Sequence, residues 1–322
     1  MALSEFEIIR RFFSHPARNA VLGVGDDAAI VRARPGYEWV MTTDMLVAGR
    51  HFARDADPRK LGHKALAVNL SDIAAMGGRP RWATLAIALP RVDARWLAAF
   101  MRGFMRLARR HGVDLVGGDT TRGPLNICVE VVGEVPRGRA LRRDGARPGD
   151  DVWVSGTLGD AALALAARRL GLRRRERLLL TQKLDAPTPR IGLGEALRGV
   201  ARSAIDVSDG LVADLGHICE RSRVAAVVGL ERLPCSAIMK KHRDRPAARA
   251  ALLAGGDDYE LAFTAGRAHR ERIAAIARRL RLKLARIGRI VRQRRETPRV
   301  TVLDASGRPI PLRRGGYEHF SD

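Results

Sequence analysis

Apolar and polar positions recur along this chain with a period that changes several times, and each change marks an element. Over residues 4–14 the apolar positions return at helical spacing. Ser4 stands as N-cap with Glu7 three positions on, the spacing of a capping box, so a short helix is predicted. Two strand-like stretches follow, Ala28–Val31 and Glu38–Thr43, with a Pro-Gly turn at 35–36 between them. From Asp57 the period becomes helical: Asp57 can cap, Pro58 suits the first helical position, and Gly77-Gly78 end the helix. Strands are expected at 82–89, 113–116 and 126–135, with a helix over 93–111. The stretch Pro136–Asp151, rich in Arg, Gly and Pro, reads as a linker, giving domains 1–136 and 151–322 joined by 137–150. After it come a strand (Val152–Val154), a helix over 158–170, and helices after Thr188-Pro189 and after Ser208-Asp209-Gly210. The alternation predicts two α/β or α+β domains. No internal repeat of solenoid length is visible.

Composition narrows the class. The 322 residues are 46% apolar and 29% charged, with 32 Gly and 15 Pro, which suits a globular protein with a sizeable core. No apolar run approaches the roughly 20 residues of a membrane helix, and the first residues do not form a signal-peptide core, so a cytoplasmic protein is expected. The three cysteines, Cys128, Cys219 and Cys235, lack CxxC spacing, which excludes a disulfide framework and a cysteine-based zinc site. The formal charge is +23, which raises the question of nucleic acid. The excess is spread over both halves. Its densest run, Arg267–Glu296, holds twelve Lys and Arg, yet Ile273, Ile276 and Leu280 recur through it, so it reads as an amphipathic helix with a solvated basic face. Aromatic residues are 5% of the chain and none interleave with these arginines to make a stacking platform.

The informative residues are acids in a chain short of acids. Asp26-Asp27 follows Gly23-Val-Gly; Asp44 ends Met41-Thr-Thr-Asp; Asp119 lies in Gly117-Gly-Asp-Thr-Thr; Asp209 lies in Ile205-Asp-Val-Ser-Asp-Gly. Each stands beside glycines or hydroxyls near the end of an apolar run, where side chains from several strands can converge. Asp72 is more telling. On the predicted helix, positions 61, 65, 68, 72 and 76 share a face and all but Asp72 are apolar. An unpaired carboxylate buried there would cost several kcal/mol, so Asp72 needs a cation, a strong donor or solvent. The candidate donors are all hard oxygens, carboxylates with Thr42 and Thr43 hydroxyls beside them, which favours Mg²⁺ and, with it, phosphate.

Two motifs fail on their context. Gly23-Val-Gly-Asp-Asp-Ala matches the dinucleotide fingerprint, but two carboxylates occupy the loop and the chain continues as a strand instead of opening a helix. His242-Arg-Asp-Arg has neither the Asp-Phe-Gly nor the Gly-rich strand of a protein kinase, and no P-loop is present.

Gly25-Asp-Asp, Thr42-Thr-Asp, Lys64-Ala-Leu-Ala-Val-Asn-Leu-Ser-Asp-Ile-Ala-Ala-Met-Gly, Gly117-Gly-Asp-Thr-Thr, Ile205-Asp-Val-Ser-Asp-Gly-Leu and Gly255-Gly-Asp-Asp-Tyr-Glu-Leu together resemble the thiamine-monophosphate kinase family, in family order from residue 4 to Phe320. Val47-Ala-Gly-Arg-His and the closing Gly316-Tyr-Glu-His-Phe resemble that branch of the wider aminoimidazole ribonucleotide synthetase-like superfamily. The resemblance implies a fold of two α/β domains, the N-terminal one dimerising through its strands into a homodimer. It implies transfer of phosphate from ATP to thiamine monophosphate, with several Mg²⁺ ions. It carries metal ligation onto Asp27, Thr42, Thr43, Asp44, Asp72, Asp119, Asp206 and Asp209. Nucleotide contacts fall on Gly118, Asp119, Arg143 and Ser208, and substrate contacts on His51, Asp257 and Tyr317. Two residues depart from the family's habit: Asp257 where Glu is frequent, one methylene shorter, and Thr42 where Ser is frequent, which keeps the hydroxyl. The alternatives are an aminoimidazole ribonucleotide or selenophosphate synthetase-like enzyme, or a basic nucleic-acid-binding protein. The selenophosphate branch normally relies on a reactive Cys or selenocysteine near the N-terminus, and the first cysteine here is Cys128.

Overall fold

The computed structural model describes residues 4–167, 169–294, 298–311 and 316–317. The chain divides into two compact units, Met1–Ile73 with Gly78–Gly138, and Ala74–Gly77 with Arg139–Asp322.

The first unit begins with the expected capping box: Ser4 N donates to Glu7 Oε2 and Glu7 N donates to Ser4 Oγ. The helix it opens is shorter than expected, α1 (Glu5–Ile8), and passes into a π-helical turn at Ile9–Phe13. Strands β1 (Ala20–Leu22) and β2 (Ile30–Val31) form a small antiparallel pair. The main sheet comprises β3 (Tyr37–Val47), β4 (Arg79–Leu89), β5 (Asp114–Arg122) and β6 (Asn126–Pro136), in the order β3-β6-β4-β5. Only the β4–β5 pair is parallel. It is joined by α3 (Ala94–His111), the βαβ crossover that a parallel pair requires. Asp93 caps α3 by accepting from Arg95 N and Trp96 N, and left-handed Gly112 ends it. Helix α2 (Pro58–Ala75) is capped by Asp57, which accepts from Lys60 N at 3.0 Å. Its glycine is functional in packing. A Cβ on Gly62 would lie 2.0 Å from the carbonyl oxygen of Phe100, and one on Gly103 would lie 1.8 Å from that of Arg59. The two helices therefore cross backbone to backbone, over a core of Leu66, Leu70, Ile73, Phe100, Phe104 and Ile127.

The second unit contains β7 (Asp151–Ser155), α4 (Asp160–Ala166), α5 (Arg174–Asp185), α6 (Ile191–Leu197), β8 (Ser203–Asp206) and α7 (Leu211–Ser222). It continues with β9 (Val224–Gly229), α8 (Ala237–His242), α9 (Pro246–Ala254), β10 (Leu261–Ala265), α10 (Arg270–Leu280), β11 (Leu284–Arg292) and β12 (Val300–Leu303). The sheet order is β12-β9-β11-β7-β10-β8, antiparallel except for β12 on β9. Val152, Val154, Ile205, Leu215, Ile218, Val228, Ile287 and Ile290 fill its core.

Three expectations are corrected. The basic run 267–296 is not one helix: α10 stops at Leu280, Arg281 turns into the left-handed region, and β11 follows. Arginines on the exposed positions of β11 extend the basic face while Ile287 and Ile290 point into the core, so a strand presents the same composition as a helix face. Asp44 and Asp119 lie inside β3 and β5, not after them. The segment read as a linker is an ordered strap on the second unit. Leu141 and Ala146 are buried, Ala204 N donates to Arg142 O, Ser222 Oγ donates to Arg143 O, and buried Asp150 accepts from Arg202 at 2.9 Å.

Candidate functional site

In the first unit, alternation along β3 decides which side chains can meet. Thr42, Asp44 and Leu46 face inward; Trp39, Met41, Thr43 and Met45 face outward and are exposed. On the inner face Thr42 Oγ1 donates to Asp72 Oδ2 at 2.5 Å, which supplies the strong donor that this carboxylate needs on an otherwise apolar helix stripe. Thr43, by the same alternation, stands on the opposite face from Thr42 and Asp44.

A second group gathers around a cavity of about 700 Å³ lined by Asp26, Asp27, Gly118, Asp119 and, on its apolar side, Phe6, Ile9 and Phe13. Asp27 N donates to Asp26 Oδ1, fixing the turn that presents both acids. Gly118 has φ 150°, and a Cβ there would lie 1.9 Å from Leu85 O, so only glycine lets β5 approach β4 this closely. The β4–β5 register shifts between Ala83 and Thr84, leaving Val116 as the extra residue of a bulge directly before Gly117-Gly118-Asp119. His51, just beyond β3, accepts from Val47 N at its Nδ1 (2.9 Å), so that nitrogen is unprotonated.

The second unit brings together the residues expected after position 200. The turn from β8 to α7 carries Asp206, Ser208 and Asp209. Ser208 O accepts from Asp257 N (2.8 Å), Val207 O from Tyr259 N (2.8 Å), and Asp209 O from Tyr317 N (3.0 Å). Asp257 and Tyr317 are thus tied to the same loop as Ser208 and Asp209. Asp257 (φ 69°) and Tyr259 (φ 50°) are both left-handed, a conformation that costs a non-glycine residue roughly 1 kcal/mol or more, and Tyr259 Oη donates to Asp257 Oδ1. Arg143 has an exposed side chain, whereas Arg142 beside it is held in a bidentate pair with Asp144, which leaves Arg143 the better placed of the two for an anion.

Sequence reasoning missed the acids that hold this unit's site in place. Asp214 accepts from three successive amides of the loop, and burial followed by the charge of Asp209 pushes its carboxyl up to about 7. Burial drives Asp258 well above the usual carboxylate range; it accepts from Gly159 N at 2.7 Å. Glu260, also buried, accepts from Ser155 Oγ and from both Nε and Nη2 of Arg190. The signals were present: Asp214 is an acid in the first turn of a helix that opens with Ser-Asp-Gly, and Asp258 and Glu260 belong to the Gly-Gly-Asp-Asp-Tyr-Glu motif.

The donor set fits Mg²⁺ in kind, since it offers carboxylate and hydroxyl oxygens. Among the described residues no three His, Cys, Asp or Glu side chains form a metal cluster. Mg²⁺ does not require one: it is usually held by one or two carboxylates and completes its shell with water and substrate phosphates.

Both units match a known family. The N-terminal domain of AIR synthase related proteins matches residues 25–135 and the C-terminal domain matches residues 147–301. The thiamine-monophosphate kinase of Salmonella typhimurium is 42% identical, over 100% of this chain and 99% of its own. The crystal structure of thiamine-monophosphate kinase from Stenotrophomonas maltophilia is similar at a TM-score of 0.83 and 46% identity, covering 94% of this chain and 97% of that one. AaThiL complexed with AMPPCP and TMP is similar at a TM-score of 0.77 and 32% identity, covering 98% and 97%. With a Mg²⁺-compatible acid set on an AIR synthase related fold and identity above 40% along its whole length, the chain belongs to the thiamine-monophosphate kinase family.

Proposed function

We propose that this protein transfers the γ-phosphoryl group of ATP to thiamine monophosphate, giving ADP and thiamine diphosphate. The observation that carries the reading is the end-to-end likeness to thiamine-monophosphate kinases, one of them complexed with AMPPCP and TMP. The acceptor is itself a phosphate, an oxyanion at neutral pH, so no strong general base is needed. The obstacle is charge. Two unit charges 4 Å apart repel by about 4 kcal/mol at an effective dielectric near 20, and the two substrates carry several each. Mg²⁺, when bound, neutralises phosphate charge and polarises the transferred group. Within the first unit Asp27, Thr42, Asp44, Asp72 and Asp119 would hold Mg²⁺, as separately would Asp206 and Asp209 within the second; the Thr43 hydroxyl, on the other face of β3, is left out of the set. Gly118 and Asp119, and separately Ser208 and Arg143, would contact the nucleotide, Arg143 as a fixed cation for phosphate. His51, Asp257 and Tyr317 would bind thiamine monophosphate; the half-exposed Tyr317 ring offers a π-face to the thiazolium cation. Among the described residues no Ser, His or Asp is poised as a nucleophile, which supports direct in-line transfer without a phosphoenzyme.

A homodimer accords with the outer face of β3, where Trp39, Met41 and Met45 are 45%, 60% and 54% exposed, a concentration of apolar surface that a lone chain rarely presents. No helix among the described residues is long and apolar enough to cross a membrane, and the use of ATP supports a cytoplasmic setting. The test is ADP release from ATP and Mg²⁺ with a panel of phosphorylated acceptors. Turnover with thiamine monophosphate above all others is expected. Equal turnover of unrelated phosphates, or a labelled protein phosphate trapped during reaction, would refute it.

A further inference from the structure

The loop between β8 and α7 has almost none of its backbone left to offer a ligand. Val207 N donates to Glu260 O, while the amides of Ser208 (3.1 Å), Asp209 (3.1 Å) and Gly210 (3.0 Å) all donate to one atom, Asp214 Oδ2. The carbonyls of residues 207, 208 and 209 accept from Tyr259, Asp257 and Tyr317, and that of Gly210 accepts from Asp214 N. Every backbone donor from 207 to 210 is spent inside the unit, as the accounting of buried backbone groups requires. Three successive amides converging on one anion at the start of a helix form a concavity that in other folds takes phosphate. Here the anion is the protein's own side chain, which is 2% exposed.

We propose that Asp214 is a positioning residue for phosphoryl transfer: it fills the anion cradle at the start of α7, so that nucleotide and metal are met by the side chains of Ser208 and Asp209 and not by the loop's amides. The proposal rests on the assignment of those two residues to ATP and Mg²⁺ made above. It explains how a chain without a P-loop fixes a phosphate-handling turn, because the internal carboxylate imposes on the backbone the curvature that a bound phosphate imposes elsewhere. It also gives a reason for aspartate in place of serine or threonine, the usual N-terminal caps, since one oxygen must reach back from the first helical turn to three amides at once.

The experiment compares the wild type with Asp214→Asn, which keeps an oxygen acceptor of the same reach, and Asp214→Ala, which removes it. Amide hydrogen exchange at residues 208–210 reads the clamp, and calorimetric titration with AMPPCP and Mg²⁺ reads the site. Asp214→Asn is expected to keep slow exchange and an affinity within about threefold of wild type. Asp214→Ala is expected to exchange faster and to bind AMPPCP at least tenfold more weakly. Wild-type affinity in Asp214→Ala overturns the proposal, as does an Asp214→Asn variant as impaired as Asp214→Ala. Should Asp214→Ala not fold, Asp214→Ser, whose hydroxyl is too short to reach all three amides, takes its place with the same two outcomes. A wild type that binds no AMPPCP, with the exchange difference intact, would count against the assigned function and leave the clamp standing.

Discussion

Replacing Gly103 with alanine tests whether the helix crossing in the first unit is as tight as described. The added Cβ would lie 1.8 Å from Arg59 O, 2.8 Å from its carbonyl carbon and 3.1 Å from His63 N, all main-chain atoms that cannot rotate away. Carbon contacts are comfortable at about 3.5 Å, so α2 and α3 must part by roughly 1.5 Å. A gap of 0.5–1 Å already forfeits about a quarter to a half of each dispersion contact along the seam. Overpacking of this kind costs about 1–3 kcal/mol or more, against which alanine's better helix propensity returns roughly 0.5–1 kcal/mol. The expected net loss is about 1 kcal/mol or more. With a urea m-value of about 2 kcal/mol/M, the unfolding midpoint followed by circular dichroism falls by about 0.5 M or more. Gly216→Ala is the control. That glycine also sits in the middle of a helix, α7, but no atom lies within 4 Å of its added Cβ, so the same substitution should stabilise by about 0.5–1 kcal/mol. A Gly103→Ala midpoint equal to or above wild type, or two variants moving in the same direction, would refute the close-approach argument.

Asp72→Asn keeps an oxygen to accept from Thr42 while removing the charge, so turnover should drop roughly 100-fold or more at an unchanged melting temperature; wild-type rates would remove Asp72 from the metal set. Arg190→Gln strands the buried Glu260 carboxylate and should cost about 3–5 kcal/mol in chemical denaturation, most of which Arg190→Gln with Glu260→Gln should restore. Glu176 is held at about 2 by its hydrogen bond from Lys241 and then by Arg173 N. Its folded value lies below the ordinary 4.5, so its contribution to stability is present above that pH and disappears as pH falls toward about 2; a carbon-13 titration should show the low midpoint, rising in Lys241→Met. Burial pushes the Cys219 thiol to about 12, so a disulfide reagent at pH 8 should label it only after unfolding.

Much of this fold is written locally. Ser4 with Glu7, Asp57 before Pro58, and Asp93 before Ala94 each satisfy the first amides of a helix within a few residues, and that chemistry is readable without tertiary knowledge. Asp72 was legible as an anomaly but not as a solution, because its donor, Thr42, is thirty residues away across a strand–helix contact. Helix α5 gave no opening signal: its N-cap is Arg173, which offers no oxygen. Arg281 closes α10 in the left-handed region where glycine is the usual marker, and so hid the boundary with β11. The site follows the same division. The Gly-flanked aspartates could be picked out, yet the face each takes on β3 depends on pairing with β6, and the strain at Asp257 and Tyr259 depends on the loop they are bonded to.

The two faces of β3 bear on inhibition. Thr42 and Asp44 hang from the same backbone as Trp39, Met41 and Met45, on the reverse side, about 3.3 Å along the strand from one residue to the next. A small molecule that took the partner copy's place on the outer apolar residues would press on the acid-bearing face from behind, through a single layer of peptide bonds. Such an agent would not compete with ATP, and cellular nucleotide concentration would give no protection against it.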